Sequence, residues 1–394
     1  MDMMSRKTPL RRRSKSRAAR PLRVGILTLP LHINYGGIIQ AAALYRMIED
    51  MGHHPVFLDK KPRRSLPHRL TKKLLAAIPG QNIGNVREAV RNMNVHRPFV
   101  RRFMPDATRP LLTGTDLAAA VRRRRLDAVV VGSDQVWRPH YHQDDQALVY
   151  FLDFVEPEVT ARIAYAASFG KPTWEHEDIA EPASELLNDF AHVSVRENSG
   201  ADICAEAFGV DNAEVVLDPT LAVDPEFYED VAAEASDLDC RDGEFVFEYV
   251  LDRERIEPGI AQRLADDLPD VSHARAIHPE LPGEAETLPD WMAHFRHAGC
   301  VLTDSFHGTV FCILNRRNFI TIVNPGRGAD RFHTLLGALG LEGRMVKRLD
   351  DRSARRLLAR PIDYDAVHAR LDELRRSSRD FLQGALDAAD SQMS

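Results

Sequence analysis

Residues 303–309 (TDSFHGT) carry the side chains best suited to acid–base chemistry in this sequence. They follow the apolar run 300–302, which is typical of a buried strand, and they lead into a second apolar run at helical spacing. His307 would therefore lie at the start of a helix, where Gly308 leaves backbone amides open to an anion. A histidine there is either structural or able to transfer a proton beside a bound anion. We predict that His307 is catalytic and that its neighbours contact substrate: Asp304, Ser305, Gly308 and Thr309.

Three arginines are candidates to bind a carboxylate or a phosphate. Arg196 directly follows the predicted strand 193–195, and its guanidinium has the fork geometry that matches both anions. The alternative is that it pairs with Glu197 or with a carbonyl at the end of a helix. Arg327 and Arg331 belong to the glycine-rich segment 324–331, which either closes on a phosphate or forms a solvated loop before a helix. We predict Arg196 as a second catalytic residue and the other two as substrate-binding residues.

Two segments of the N-terminal half offer groups for binding a sugar or an anion. Residues 34–40 (NYGGIIQ) open a predicted helix with two glycines, which either admit a ligand to the amides or form a tight turn. Residues 131–137 (VGSDQVW) follow a buried strand, where Asp134 can accept from sugar hydroxyls and Trp137 can stack on a sugar. The alternative is a helix N-cap with the tryptophan in the core. The substrate-binding residues predicted from these segments are Asn34, Gly36, Gly37, Gln40, Ser133, Asp134, Gln135 and Trp137.

The elements that position these residues alternate between strands and helices. A strand at 23–28, a helix at 38–51 and a strand at 55–58 form a βαβ unit, which implies a parallel sheet. The remaining predicted strands are 127–131, 162–166, 193–195, 215–217, 245–250, 273–277, 300–303 and 319–323. The remaining predicted helices are 86–103, 117–125, 259–268, 291–298, 308–315, 330–339 and 364–386. The segment Asp218-Pro219-Thr220 is predicted to be a turn rather than a site.

This order predicts an α/β fold in which two Rossmann-like domains face a cleft and a C-terminal helix packs across both. Ligands of open α/β sheets bind at the carboxyl ends of the strands, which is where the candidate residues lie. We predict a disordered basic arm (1–21), an N-terminal domain on the acceptor side (22–222) and a hinge (223–243). A C-terminal domain on the donor side (244–360) and a C-terminal helix and tail (361–394) follow.

Charge argues against a nucleic-acid-binding protein. The 394-residue chain has a net charge of -6, of which residues 1–23, with nine Lys/Arg and one Asp, contribute +8. The remaining 371 residues therefore carry -14, so we expect no nucleic-acid partner. The basic arm precedes no apolar segment and is not a secretory signal. Weak attraction of this arm to anionic lipid remains the alternative to a purely disordered tail.

Composition also argues against metal and membrane-spanning classes. No apolar run approaches the ~20 residues needed to cross a bilayer. None of the four cysteines forms a C-x-x-C pair, and the sixteen histidines show no H-x-x-x-H pattern, so we predict no metal site. Without an export signal the thiols are expected to be reduced. We predict a cytoplasmic protein, with peripheral contact at the inner membrane face as the option that the arm adds.

Five motifs in series resemble the polysaccharide pyruvyl transferase family. They are NYGGIIQ at 34–40, VGSDQVW at 131–137, SVRE at 194–197, LDPT at 217–220 and TDSFHG at 303–308. Their order extends over about residues 22–350, nearly the whole chain. The resemblance implies a glycosyltransferase-B-like architecture. It also implies transfer of an enolpyruvyl unit from phosphoenolpyruvate to two hydroxyls of a sugar, which gives a pyruvate ketal and phosphate during exopolysaccharide or cell-surface glycan synthesis.

For that reaction His307 would be the general acid, and Arg196 and then Arg331 would bind the donor anion. We expect phosphoenolpyruvate as co-substrate, no cofactor, and an acceptor sugar linked to a nucleotide or a lipid. Family members often carry an arginine two residues before the histidine, where this chain has Ser305. Two alternatives stay open: a nucleotide-sugar-dependent glycosyltransferase of the same architecture, and a non-catalytic glycan-assembly protein.

Overall fold

The strands of the protein form two parallel sheets. The structure is a computed structural model and describes residues 20–31, 34–62, 95–142, 147–236, 241–277 and 286–392. In these ranges the first sheet contains β1 (Arg23–Leu27), β2 (His54–Phe57), β3 (Ala128–Asp134), β4 (Ala161–Ala167), β5 (His192–Val195) and β6 (Glu214–Val215). The second contains β7 (Phe245–Tyr249), β8 (His273–Ala276), β9 (Cys300–Thr303), β10 (Asn318–Ile322) and β11 (Met345–Val346).

The two sheets have the same strand order. The first runs β2-β1-β3-β4-β5-β6 and the second, read from its other edge, runs β8-β7-β9-β10-β11. Every pair of neighbouring strands is parallel. In each sheet the order of the strands reverses beside the first strand. Ligand-binding crevices are therefore expected next to β1 and β7, at the carboxyl ends of these strands. This is the Rossmann-like arrangement that the alternation of elements predicted.

Helices connect the strands and cover the sheets. Within the described residues those of the first half are α1 (Tyr35–Asp50), α2 (Arg97–Phe103), α3 (Gly114–Arg124), α4 (Ala180–Asn188), α5 (Asn198–Phe208), α6 (Pro219–Ala222) and α7 (Glu226–Ala232). Those of the second half are α8 (Ile260–Asp267), α9 (Leu288–His297), α10 (Phe306–Leu314), α11 (Asp330–Leu339), α12 (Asp351–Leu358) and α13 (Tyr364–Gln392). None of the helices within the described residues combines the length and the apolar character that crossing a membrane requires.

Apolar packing fixes the two sheets against each other. All seven residues of β3 are buried, as expected for a central parallel strand covered on both faces. One hydrophobic cluster contains residues of both sheets together with α1, α9, α10 and α13. Within it Tyr35 of α1 stacks on Trp291 of α9, with ring centroids 4.9 Å apart. The cleft between the sheets is therefore closed at its base by a shared core.

The C-terminal helix packs on both halves, as predicted. On the second half, Arg370 of α13 donates to the carbonyl of Leu339 at the end of α11. On the first half, the backbone N–H of Leu217 donates to Ser378 Oγ over 2.9 Å. The helix thus holds the segment that follows β6. The domain boundaries and the hinge at 223–243 remain predictions, although the change of sheet falls between β6 and β7.

Three local predictions differ from the structure. Helix α1 begins at Tyr35 rather than at 38, so Gly36 and Gly37 lie inside it, and neither has a positive φ. The turn predicted at 218–220 is the start of α6, because Asp218 caps the N–H of Thr220 and Pro219 takes the first helical position. Strand β6 ends at Val215 instead of 217. The basic arm as far as residue 19, Cys240 and residues 86–94 of a predicted helix lie outside the described residues.

Candidate functional site

Charged side chains from both sheets meet where their strands end. Asp134 is the last residue of β3, and Arg196 follows β5 directly. Asp218 caps α6 after β6, while His307 lies in the first turn of α10 after β9. Four strand ends from two sheets thus bring together residues that are far apart in the sequence, as the rule for parallel sheets predicts.

Arg196 is held between two carboxylates. Its side chain is 1% exposed, Nη1 donates to Asp218 Oδ2 over 2.8 Å, and Nη2 donates to Asp134 Oδ1 over 3.2 Å. The guanidinium also lies over the ring of Phe306, 4.7 Å from its centroid. A buried guanidinium needs such partners, because an uncompensated charge in the interior is strongly unfavourable. Arg196 therefore orders the site and has two of its donors already in use.

Polar groups from β3 and α1 extend this network. Ser133 Oγ lies 2.9 Å from Asp218 Oδ2 and 3.0 Å from Gln40 Oε1. The Ser133 N–H also donates to that amide oxygen, and Gln40 Nε2 donates to Thr28 Oγ1 at the end of β1. All four of these residues are buried. The network runs from β1 through β3 to Asp218, and it fixes the direction of that carboxylate.

His307 reaches this network from the second sheet. Its Nε2 atom lies 3.7 Å from Asp218 Oδ1, and the side chain is 7% exposed. The ring also packs against the first turn of α1, where a Cβ added to Gly36 would lie 2.0 Å from His307 Nδ1. The glycine allows this approach, which explains its position more directly than a turn does. The imidazole is thus confined between a carboxylate and a helix of the first sheet.

Both carboxylates of the network ionise more readily than usual. Burial raises the pKa of Asp134, but Arg196, His307 and Arg331 outweigh it and hold the pKa below its ordinary value. Burial likewise opposes ionisation of Asp218, yet His307 and Arg196 bring its pKa far below the usual aspartate value. Asp134 also has a φ of +68°, an uncommon backbone conformation for a non-glycine residue that is typical of functional sites.

Arg331 lies beside the same carboxylate at a greater distance. Its Nη1 is 3.9 Å from Asp134 Oδ1, and its side chain is 13% exposed, against 1% for Arg196. The guanidinium lies over the ring of Phe306, which also contacts Arg196. Burial and the nearby Arg196 lower the pKa of Arg331 to about 10. Two guanidiniums thus lie over one aromatic ring, next to the carboxylate of Asp134.

A third acid, Glu197, lies next to Arg196 and binds the loop that follows β4. Its Oε1 accepts from Ser168 Oγ over 2.8 Å and from the N–H of Phe169 over 3.0 Å. Burial raises the pKa of Glu197, although Arg196 and these hydrogen bonds act against the shift. The side chain holds the loop after β4 to the start of α5, so its role is to fix the wall of the site.

Several predicted binding residues have structural roles instead. Trp137 is fully buried, stacks on Phe151 and donates its indole N–H to the carbonyl of Tyr150, so its ring cannot stack on a sugar. The prediction for Trp137 is therefore wrong, and the core alternative is right. Arg196 pairs with Asp134 and Asp218, and its direct role in binding a donor anion stays a prediction. Neither Glu197 nor a helix-end carbonyl is its hydrogen-bonding partner.

The neighbours of His307 mostly shape the backbone. Asp304 accepts from the N–H groups of Leu251 and Asp252, which ties the end of β9 to the loop after β7. Ser305 is the N-cap of α10 and accepts from the N–H of Gly308 over 3.2 Å. These side chains thus hold the turn that presents His307.

The other predicted residues are placed as follows. Thr309 is buried and bonds to Thr321, Gln135 accepts from Arg138, and Gly308 packs against Thr303. Asn34 is exposed as the N-cap residue of α1 without a side-chain cap, and Gly37 contacts it. Arg327 ends a short 3₁₀ helix, and its side chain is outside the described part of the structure. The predicted residues that the structure does bring together are Gly36, Gln40, Ser133, Asp134, Arg196, His307 and Arg331.

Sequence reasoning missed the residue at the centre of this group. Asp218 was assigned to a turn because it precedes a proline, and the same local pattern also suits a helix N-cap. The useful signal was its position after a short predicted strand, which is where the other site residues lie. Phe306 was also missed, although it lies beside His307 in the sequence.

The close packing of Gly36 on His307 gives a prediction with a matched control. Replacing Gly36 by alanine is expected to lower activity at least tenfold, because the added methyl group displaces the imidazole. The same change at Gly37 is tolerated, since its nearest neighbour would be Asn34 Nδ2 at 3.4 Å. Alanine favours a helix over glycine by about 0.5–1 kcal/mol, so neither variant should unfold. Turnover and thermal melting of both variants test this, and equal activity of the two would contradict it.

Comparison with known proteins gives a family and a fold. A family model described as Polysaccharide pyruvyl transferase matches residues 34–325. No curated protein matches significantly. Among solved structures, UDP-N-acetylglucosamine 2-epimerase from Rickettsia bellii is similar, with a TM-score of 0.50 and 10% identity over 94% of this chain and 98% of that chain.

Two further solved structures are similar at slightly lower scores. The glycotransferase of kitacinnamycin has a TM-score of 0.48 and 14% identity, covering 94% of this chain and 98% of that chain. A UDP-glucosyltransferase from Polygonum tinctorium has a TM-score of 0.44 and 13% identity, covering 96% and 99%. At these identities the similarity concerns the fold alone. The two parallel α/β sheets of this chain and its similarity to the Rickettsia bellii structure confirm the predicted glycosyltransferase-B-like architecture of two Rossmann-like domains.

Proposed function

The chain belongs to the polysaccharide pyruvyl transferase family, and we propose that it moves an enolpyruvyl group from phosphoenolpyruvate to two hydroxyls of a sugar. The product is a pyruvate ketal on an acceptor that a nucleotide or a lipid carries. The observation that supports this most is the position of His307, between Asp218 and α1 at the ends of both sheets. A proton donor held at a cleft between two α/β sheets suits the first step of that reaction.

In this proposal His307 protonates the methylene carbon of phosphoenolpyruvate. The C=C bond becomes a methyl group, and the first sugar hydroxyl forms a C–O bond to the adjacent carbon and loses its proton. The second hydroxyl then attacks the same carbon, phosphate leaves, and the proton of that hydroxyl is released. Asp218 lies 3.7 Å from the imidazole Nε2 and would act on it electrostatically. His307, which has given up its proton to the methylene carbon, takes up the proton of the first hydroxyl, and we expect no resident cofactor.

We assign the donor anion to Arg331. The Arg331 side chain is 13% exposed, against 1% for Arg196, so Arg331 is the arginine of the two that a ligand can reach. Arg331 belongs to α11, and its guanidinium lies over the ring of Phe306. Phe306 directly precedes His307 in the sequence. In this chain Arg331 supplies the positive charge that many family members place at the position of Ser305.

The test is binding of phosphoenolpyruvate to wild type, Arg331→Gln and Arg331→Lys. Phosphoenolpyruvate is expected to raise the melting temperature of the wild type in a saturable way. At a ligand concentration of 100 times Kd, the free energy of unfolding should increase by about 2.7 kcal/mol. Affinity should fall at least tenfold in Arg331→Gln and partly recover in Arg331→Lys, since the lysine keeps the charge but not the fork. Arg123→Gln on the exposed end of α3 is the matched control.

Two outcomes would contradict the proposal. Equal affinity of wild type and Arg331→Gln would remove Arg331 from the donor site and leave the reaction itself in question. Failure of phosphoenolpyruvate to bind the wild type, alone or with a panel of nucleotide sugars, would refute pyruvyl transfer. Product mass after incubation with both substrates then separates ketal formation from glycosyl transfer, because the two add different groups to the acceptor.

A further inference from the structure

A cavity lies at the carboxyl ends of β3 and β4 in the first sheet. Its volume is about 380 Å³, within the range of pockets that hold small ligands. It is formed by the segments that follow β3 and β4, and residues from each that line it are Arg138, His140, Phe169, Lys171, Trp174 and His176. Aromatic and cationic groups are thus collected in one place, which is a combination that suits a ligand with a ring and a negative charge.

Arg138 is the feature of this cavity that needs an explanation. The residue is 9% exposed, and Nη1 donates to Gln135 Oε1 over 2.8 Å and to the Tyr141 hydroxyl over 3.1 Å. Nη2 donates to the carbonyl of Gly326 over 3.3 Å, and Nε is buried without a partner. No carboxylate in the described part of the chain forms an ion pair with it. The partners of Arg138 among the described residues are neutral, so these residues give its buried positive charge no counter-charge.

The other charged groups of the cavity do not supply that counter-charge. The carboxylate Glu175 pairs with Lys171 over 3.1 Å, so this pair is neutral as a whole, and Glu175 is half exposed. His140 and His176 add donors or acceptors but no negative charge. An anionic ligand would therefore complete the electrostatics of Arg138, and a guanidinium is well suited to a phosphate.

Trp174 provides a flat surface in the same cavity. Its indole N–H donates to the carbonyl of His176 over 2.8 Å, and its ring contacts Phe169 and Phe208 edge to face. These contacts fix the ring, while the residue remains only partly buried. A fixed indole can pack against the apolar face of a sugar, while the sugar hydroxyls stay free for polar contacts.

The cavity is joined to the reaction centre by short connections. Gln135, which accepts from Arg138, follows Asp134 directly in the sequence. The Tyr141 hydroxyl, a second partner of Arg138, lies close enough to Arg331 to affect its electrostatics. Gly326, the third partner, belongs to the turn of the second sheet that precedes α11. The residues that hold Arg138 thus connect this cavity to the segments that carry Asp134 and Arg331.

We propose that this cavity is the acceptor subsite and that it binds a sugar phosphate, with the phosphate on Arg138 and the sugar ring on Trp174. The name acceptor rests on the function proposed above, whereas binding of a sugar phosphate does not. The phosphate is the group through which a sugar is joined to either a nucleotide or a lipid carrier. Arg138 would recognise that shared group and leave the carrier outside the cavity.

The experiment is calorimetric titration with the 1-phosphates of glucose, galactose, mannose and N-acetylglucosamine, and with inorganic phosphate. We expect the wild type to bind at least one of the sugar phosphates, and Arg138→Gln to bind it at least tenfold more weakly. Arg138→Lys should recover part of the affinity, which excludes misfolding as the cause. Trp174→Leu should weaken binding of the sugar phosphate and leave the affinity for inorganic phosphate unchanged. Arg123→Gln is again the control.

Two further arms separate the carrier and the parent proposal. Stronger binding of the matching UDP-sugar than of the 1-phosphate assigns a nucleotide carrier, and stronger binding of the matching short-chain polyprenyl diphosphate sugar assigns a lipid carrier. Phosphoenolpyruvate binding, measured on the same variants, should not change in Arg138→Gln. The proposal is overturned if no sugar phosphate binds the wild type, or if Arg138→Gln binds it equally well. If phosphoenolpyruvate does not bind the wild type, the proposed reaction is refuted, whereas the assignment of this cavity to a sugar phosphate is not affected.

Discussion

Replacing His307 by asparagine is expected to lower turnover by about 10²–10⁴-fold, the usual contribution of a positioned general acid. Asparagine is smaller than histidine and keeps a polar side chain at this position, so it fits against Gly36 without a clash. It cannot transfer a proton to the methylene carbon of phosphoenolpyruvate. The loss should therefore appear in kcat, while affinity for phosphoenolpyruvate changes by less than about threefold, because Arg331 carries the donor anion. The measurement is the initial rate of phosphate release with a nucleotide-sugar panel, alongside donor binding.

A matched control separates this effect from a general effect of removing a histidine. His333 on α11 is exposed, so His333→Asn should retain wild-type activity. Melting temperatures of the two variants should lie close to that of the wild type. If His307→Asn keeps more than a tenth of wild-type turnover, His307 is not the acid. The non-catalytic reading of the protein would gain support only if the wild type itself released no phosphate with any acceptor.

The general layout of this site was predictable because parallel strands are apolar along their whole length. β3 and β9 are buried throughout, so their sequences are short apolar runs that end abruptly in polar residues. Such an end marks the carboxyl edge of the sheet, and the order of elements requires that these edges face one cleft. Asp134 and His307 were found in this way.

Pairing between those residues could not be predicted from the sequence. Arg196 lies 62 residues from Asp134 and 22 from Asp218, and no local pattern links them. A guanidinium after a strand looks the same whether it awaits a substrate or already has two carboxylates. The sheet order decides this, because it places β3, β5 and the segment after β6 along one edge.

Local patterns also have more than one structural use. A serine before a helix, such as Ser305, satisfies a capping requirement as well as a binding role, and the structure shows the first. The tryptophan at the end of the second motif lies in a segment with few apolar residues, so its burial depends on Phe151 and Phe169 from later in the chain. Neither choice is visible until the segments are packed.

Replacing Asp218 by alanine is expected to destabilise the protein by about 3–5 kcal/mol, the cost of breaking a buried ion pair by removing one partner. Arg196 would lose its shorter carboxylate hydrogen bond in a place where its side chain is 1% exposed. Ser133 Oγ would lose a hydrogen bond to the same oxygen. Asp218→Asn keeps the shape and some hydrogen bonds, so its loss of stability should be smaller. Chemical unfolding measures both, with Asp211→Ala at an exposed position as the control.

The two Asp218 variants should also separate stability from catalysis. Asp218→Asn removes the negative charge beside His307 while largely preserving the fold, so turnover should fall at least tenfold even where the protein is fully folded. The Asp218 contribution to stability follows its lowered pKa: it is fully present above the ordinary aspartate value of 3.8 and is lost as pH falls below that value. The stability difference between wild type and Asp218→Asn should therefore be largest near neutral pH. It should narrow by up to about 1.4 kcal/mol per pH unit under acid conditions. A difference that stays constant down to pH of about 3 would contradict this prediction, because it would mean that folding does not lower the pKa of Asp218.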